Sequence, residues 1–185
     1  MLQIVTQDTC DPRLANIRAL RAQAWASFHP GASVLQDHID PTDKGAIQWV
    51  VLYGGVLVAS ARLSVHSRIE DVPEAEIFLP VFKRIPAPPF GSINRLAVHP
   101  QYRGTGLARV LDTIRLKTAW ELGCQSILAE TISGPRRIDQ LLDLGFEIVG
   151  TSKPDRMQSA VTRGEARPVV LVLHRHATRH ARGSS

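Results

Sequence analysis

Apolar residues recur along this chain with two different periods, and the period marks the element that each stretch forms. Leu2–Thr6 is a short apolar run that predicts a strand. Asp11-Pro12 then supplies a helix N-cap and a proline at the first helical position. Leu14, Ile17, Leu20, Ala24, Trp25 and Phe28 follow close to one face at 3.6 residues per turn, with Arg13, Arg18 and Gln23 on the others. His29-Pro30-Gly31 stops this helix. Ala32–Lys44 has no apolar period and carries Asp37, His38, Asp40, Asp43 and Pro41, the composition of an irregular loop. His and Asp can ligate a metal, but this spacing matches no defined metal motif and none is assigned.

Ile47–Leu52 and Val56–Val65 are β-branched runs joined by Tyr53-Gly54-Gly55, whose glycines can take the positive φ of a tight hairpin turn. From His66 to Phe90 the prolines at 73, 80, 86, 88 and 89 predict a long, lid-like excursion with at most a short helix around Glu74–Phe82. Ser92–Val98 predicts a strand. Leu107–Leu122 predicts the strongest helix, with Leu107, Val110, Leu111, Ile114 and Thr118 on one stripe and Gly123 as its left-handed stop. Ser126–Thr131 reads as a buried strand, and Ser133-Gly134-Pro135 opens a helix buried by Ile138, Leu141, Leu142 and Leu144 and ended by Gly145. Strands at Phe146–Val149 and Val169–His174 flank a polar loop, Thr151–Arg167. The order is that of an α/β (α+β) fold: a mixed central sheet of about six to seven strands with helices on both faces.

Length and composition narrow the class. At 185 residues, 44% hydrophobic and 21% charged, the chain has the make-up of one soluble globular domain, expected over residues 1–174 with a basic flexible tail over 175–185. No apolar run approaches a membrane span, and Met1–Cys10 has neither a basic start nor an apolar signal core, so the expected location is cytoplasmic. Cys10 and Cys124 form no CxxC motif or disulfide framework. The net charge of +5 points to an anionic partner. The basic residues are scattered or in the tail and aromatic residues are only 5%, which argues against nucleic acid.

The chemistry concentrates in Ser92–Arg109, a strand that runs through a glycine-punctuated turn directly into a helix. Gly104 and Gly106 remove side chains where backbone N–H groups would have to approach a ligand, and the helix N-terminus adds unpaired donors and partial positive charge. The diphosphate loop Gly-x-x-x-x-Gly-Lys-Ser/Thr is absent, and so is the dinucleotide fingerprint Gly-x-Gly-x-x-Gly, because Arg109 holds the third glycine's place. What is present, Gln101-Tyr-Arg-Gly104-Thr-Gly106, resembles the acyl-CoA-binding motif of the GNAT superfamily of N-acetyltransferases, Gln/Arg-x-x-Gly-x-Gly/Ala. Arg95-Leu-Ala-Val-His-Pro100, Leu144-Gly-Phe146 and Val58-Ala-Ser-Ala-Arg-Leu63 resemble that family's flanking segments, so the likeness runs from Leu2 to Gly150.

The resemblance implies an N-acyltransferase using acetyl-CoA or another acyl-CoA, without a metal, and an amine acceptor it does not name. It implies that the backbone of Leu96, Ala97 and Val98 pairs with the pantetheine arm, and that the Val98 N–H stabilises the tetrahedral oxyanion. Gln101 would begin the turn, and the N–H groups of Arg103, Gly104, Thr105, Gly106, Leu107 and Ala108, with the Arg103 side chain, would hold the pyrophosphate. Dimers are common among relatives, and this is the ground for considering a homodimer. Two family positions differ here. The usual base, a Glu before Arg-Leu-Ala-Val, is Asn94, which orients a water but takes no proton near neutrality. The usual Tyr acid is Leu141. The remaining acid–base candidates are Glu130, taken first, then His99, His66 and Cys124; Arg62 and Arg95 could meet an acceptor carboxylate. Two alternatives stand beside this reading. One is a long-chain N-acyl synthase fed by acyl carrier protein, with His66–Phe90 walling its pocket. The other is a catalytically silent CoA-binding module.

Overall fold

The computed structural model describes residues 1–7, 14–29, 31–132, 134–154, 160–162 and 167–175. Seven strands form one sheet in the order β1-β2-β3-β4-β5-β7-β6. They are β1 (Leu2–Gln7), β2 (Ile47–Tyr53), β3 (Val56–His66), β4 (Phe90–Val98), β5 (Ser126–Thr131), β6 (Glu147–Thr151) and β7 (Val169–His174). The β4/β5 contact is parallel and every other pairing is antiparallel. A parallel pair needs a crossover, and α3 (Leu107–Glu121) supplies it. The predicted β2–β3 hairpin is present, with Gly54 and Gly55 at φ 58° and 83°.

Two apolar cores sandwich the sheet. On one face α3 and α4 (Pro135–Asp143) bury Leu107, Leu111, Leu116, Ala119 and Leu141 against Val51, Ala59, Leu63, Ile93 and Ile127. On the other, α1 (Leu14–Ala26) presents Leu20 and Ala24 to Ala97. Burying a side chain of this size contributes roughly 1.5–3 kcal/mol. The helix start expected at Asp11-Pro12, the tail beyond Arg175 and most of Thr151–Arg167 lie outside the described residues.

Four expectations need correction. Phe28 lies two residues beyond α1 and is 65% exposed, since the helix stops before its period can bring that ring inward. Val110 and Leu142 are exposed, while Asp112 and Arg115 share the inner face of α3. The strand after α4 starts at Glu147 because Phe146 turns into the core instead. The excursion 66–90 is no lid. Its Ile69, Val72, Ile77 and Phe78 are buried against Phe90, Leu128, Val170 and Val172, and its helical parts are a single 3-10 turn at Ile69–Asp71 and the short α2 (Ala75–Phe78). Apolar residues at that density lower their free energy most by covering the sheet.

Candidate functional site

The sheet opens at its centre. β4 and β5 pair only from Phe90↔Ser126 to Ile93↔Ala129. Beyond that point β4 stays with β3 as far as Val98↔Ala59, and β5 stays with β7 as far as Thr131↔Val169. The His99 N–H donates to the Val58 carbonyl at 2.8 Å, which makes His99 and Ala97 the residues whose amides face β3. Leu96 and Val98 therefore turn their N–H and C=O groups into the gap, and Ala97, expected with them, turns away.

A bulge sets this up. Arg95 adopts φ 53°, and the β3/β4 register slips between Ser60 and Arg62. The slip leaves carbonyls unserved by the ladder, and Arg115 answers from α3. Its Nη1 donates to the carbonyls of Arg62 (3.2 Å) and Asn94 (3.0 Å), and its Nη2 pairs with Asp112. Asp112 also takes both terminal nitrogens of Arg137 from α4. Arg115 was legible in part, since it lies four residues after Leu111 on the apolar stripe, a place where an arginine must be paired.

The turn that follows β4 is tight and open. The Gln101 N–H donates to His99 Nδ1, Tyr102 N–H to the His99 carbonyl, and the Thr105 hydroxyl to the Tyr102 carbonyl. Gly104 and Gly106 have φ 78° and 86°, and a Cβ on either would meet no atom within 4 Å, so any substituent would project into the open space before the turn. The first α3 N–H bonded within the helix is Val110, to the Gly106 carbonyl. The N–H groups of Leu107, Ala108 and Arg109 thus precede the ladder, with no side-chain cap on Gly106 and no acidic residue in the first turn. Such a terminus favours an anion. The Arg103 side chain, expected on that anion, instead reaches the end of α1. It donates to the Ala24 carbonyl and to Ser27 Oγ (2.8 Å) and lies 4.3 Å over the Phe28 ring.

A polar row crosses the sheet beside the gap. Gln48 faces Arg62, Arg62 faces Asn94, and Glu130 follows the last β4/β5 pair, so Asn94 and Glu130 stand on neighbouring strands where these part. Asn94 is buried, with Oδ1 accepting from Arg62 Nε (2.7 Å) and Nδ2 donating to Ser92 Oγ (3.2 Å). Glu130 is half-buried and its charge acts on Arg95. Arg62 and Arg95 are not acceptor contacts. Arg62 is fully buried and bridges Asp40 (2.9 Å) and Asp43 (2.8 Å), and Arg95 pairs with Asp40 and Glu74, both at 2.9 Å. Burial alone would raise the Asp40 carboxyl, but Arg62 and Arg95 outweigh it and hold the group well below the usual range. Asp43 is lowered in the same way, by Arg21 and Arg62.

The other candidates are less well placed. His66 shares a 2.8 Å hydrogen bond with Ser64, and burial lowers its pKa. Cys124 is buried in the α3-side core and burial raises its thiol, which keeps it protonated. Among the described residues no group of three His, Cys, Asp or Glu could hold a metal ion, and no helix is long and apolar enough to cross a membrane.

Comparison with known proteins bears on the family and the fold. The sequence profile of the acetyltransferase (GNAT) family matches residues 14–146. A search of curated proteins returns no significant match. Among solved structures, a polyamine N-acetyltransferase from Drosophila melanogaster aligns with TM-score 0.63 at 18% identity, covering 94% of this chain and 100% of that one. FeeM, an N-acyl amino acid synthase from uncultured soil microbes, gives TM-score 0.65 at 15% identity over 94% and 92%. The NatC complex bound to Gag peptide and CoA gives 0.57 at 14% over 94% and 98%. At these identities the structures share the fold.

Proposed function

Because the chain belongs to the GNAT acetyltransferase family, we propose that it is an N-acyltransferase that moves an acetyl or other short acyl group from CoA to an amine by direct attack in a ternary complex. One observation carries this: the gap-facing amides of Leu96 and Val98 run straight into the open N–H groups at the start of α3. Together they form a continuous line of backbone donors matched to a pantetheine arm followed by a pyrophosphate.

In this reading Gln101, Gly104, Thr105, Gly106, Leu107 and Ala108 form the phosphate turn, and Arg103 contributes its backbone while its side chain ties the turn to α1. The Val98 N–H receives the oxyanion, a contact whose loss typically costs about 2.7–4 kcal/mol. Glu130 takes the amine's proton, directly or through one water. Asn94, committed to Arg62 and Ser92, holds the row beside it in place. Holding both reactants in the gap supplies the rest by proximity. The long-chain alternative relied on an acyl wall from residues 66–90, of which Ile77 and Phe78 are buried against the sheet face and Val81 and Phe82 pack on them.

The test is thermal stabilisation by acetyl-CoA and CoA in the wild type and in Gly104→Glu, followed by an amine screen with Glu130→Gln as control. Stabilisation that Gly104→Glu abolishes, with turnover that Glu130→Gln loses while still binding acetyl-CoA, supports the proposal. No stabilisation at millimolar ligand refutes it. Binding without turnover on any amine would leave a CoA-binding module.

A further inference from the structure

We propose that Phe28, just past the end of α1, is a positioning residue for the acyl donor: through Arg103 it holds the glycine turn in the shape that receives a diphosphate. This rests on the acyl-CoA reading above and extends the donor site to an element that carries none of its motif. Arg103 stands directly before Gly104, yet its side chain reaches back 79 residues to α1. Nη2 donates to the Ala24 carbonyl and Nη1 to Ser27 Oγ at 2.8 Å, while that hydroxyl donates to the same carbonyl at 3.4 Å. The guanidinium carbon lies 4.3 Å over the Phe28 ring, and the His29 ring stands beside Phe28 with centroids 6.4 Å apart. Ala24 belongs to the last turn of α1, where carbonyls have no partner inside the helix and a cation meets the negative end of the helix dipole. Its neighbour, the Trp25 carbonyl, accepts from the Phe28 and His29 N–H groups, both at 2.9 Å. Arg103 is thus a side-chain cap for α1, supplied by the turn.

The turn needs such a strut. Gly104 and Gly106 stand at φ 78° and 86° with no atom within 4 Å of a Cβ position, and glycine loses more conformational freedom than any other residue when it is held in one shape. Freedom lost before the ligand arrives is not subtracted from affinity. The bonds from Gln101 and Tyr102 to His99, and from Thr105 to Tyr102, close the turn on itself. Arg103 fixes it to α1. At the other end of the same segment, Trp25 Nε1 donates to the Leu96 carbonyl at 3.3 Å, an oxygen that keeps a second lone pair. The end of α1 therefore holds Leu96–Arg103 at both ends, with the Val98 N–H between them. Moving the guanidinium onto a phosphate would uncap α1 and uncover the Phe28 ring, so its place in the donor site is that of a strut.

The experiment measures the dissociation constant of CoA by calorimetry in the wild type, Phe28→Ala, Phe28→Tyr, Arg103→Lys, Arg103→Met and the double variant Arg103→Met/Phe28→Ala. Phe28→Ala should bind CoA about three- to fivefold more weakly while the free protein melts as the wild type does, since the ring is 65% exposed, and Phe28→Tyr should restore the affinity. Arg103→Lys should lose about as much as Arg103→Met, on the order of tenfold, because an ammonium keeps the charge but not the planar fork. In the Arg103→Met background Phe28→Ala should have no further effect. If the Arg103 variants do not fold, the two Phe28 variants decide. Wild-type affinity in Phe28→Ala overturns the inference. So does a lysine variant that keeps the affinity methionine loses, since the charge alone would then act, and so does an equal loss from Phe28→Ala with and without Arg103. A wild type that binds no CoA refutes the acyl-CoA reading itself, a result distinct from binding that ignores Phe28.

Discussion

Replacing Arg115 with methionine tests whether the bulge beneath the site depends on one buried guanidinium. The side chain is fully buried, and its Nη1 is shared between the Arg62 and Asn94 carbonyls at 3.2 and 3.0 Å. Methionine fills similar space with no donor, so two buried carbonyls lose this partner, at about 1–3 kcal/mol each. Asp112 is not stranded, because Arg137 Nη2 still donates to it at 3.0 Å. Against the loss stands the relief of a desolvated cation, whose burial cost shows in the downward shift of the Arg115 pKa. The net is a destabilisation of about 3–4 kcal/mol, a large share of the roughly 5–15 kcal/mol typical of a domain. In urea unfolding followed by tryptophan fluorescence, a slope of about 2 kcal/mol/M turns this into a midpoint lower by about 1.5–2 M. A shift below about 0.5 M with the slope unchanged would refute the reasoning, since it would mean that the bulge carbonyls are satisfied without Arg115.

Two further outcomes follow from the same network. Arg95→Gly and Arg95→Ala both lose the pairs with Asp40 and Glu74, but only alanine keeps a Cβ at φ 53°, so the glycine variant should be the more stable by about 1 kcal/mol in urea; equal midpoints would show that no strain resides there. Asp40, Asp43 and Asp112 all have folded pKa values held below the ordinary one by arginines that outweigh burial. Their contribution is fully present above the unfolded pKa of about 3.9 and is lost as pH falls through it toward the folded values. The urea midpoint should therefore drop steeply from about pH 5 to pH 3, and less steeply in Asp40→Asn; a flat profile would contradict the pairing.

How much of this was legible in the order of residues depends on the range of the interaction. Helices, strands and the glycine turn rest on contacts within a few positions, so α3, the β2–β3 hairpin and the Gly104/Gly106 turn could be read directly, and the motif with its flanks pointed to the family that the profile match shows. The Asp37–Asp43 segment looked like a solvated loop because nothing local distinguishes a carboxylate facing water from one facing an arginine. Only the folded chain places Asp40 and Asp43 against Arg62 and Arg95, partners up to 55 residues away. The same holds for Arg115 beneath the bulge and for Trp25, 71 residues from the carbonyl to which its indole N–H donates. Sequence alone determined where an open turn leads into a helix N-terminus, since that needs only glycines ahead of a helix. Tertiary structure decided which amides face the opening and which charges are neutralised, because strand register and the packing of α1 bring together groups that no local pattern relates.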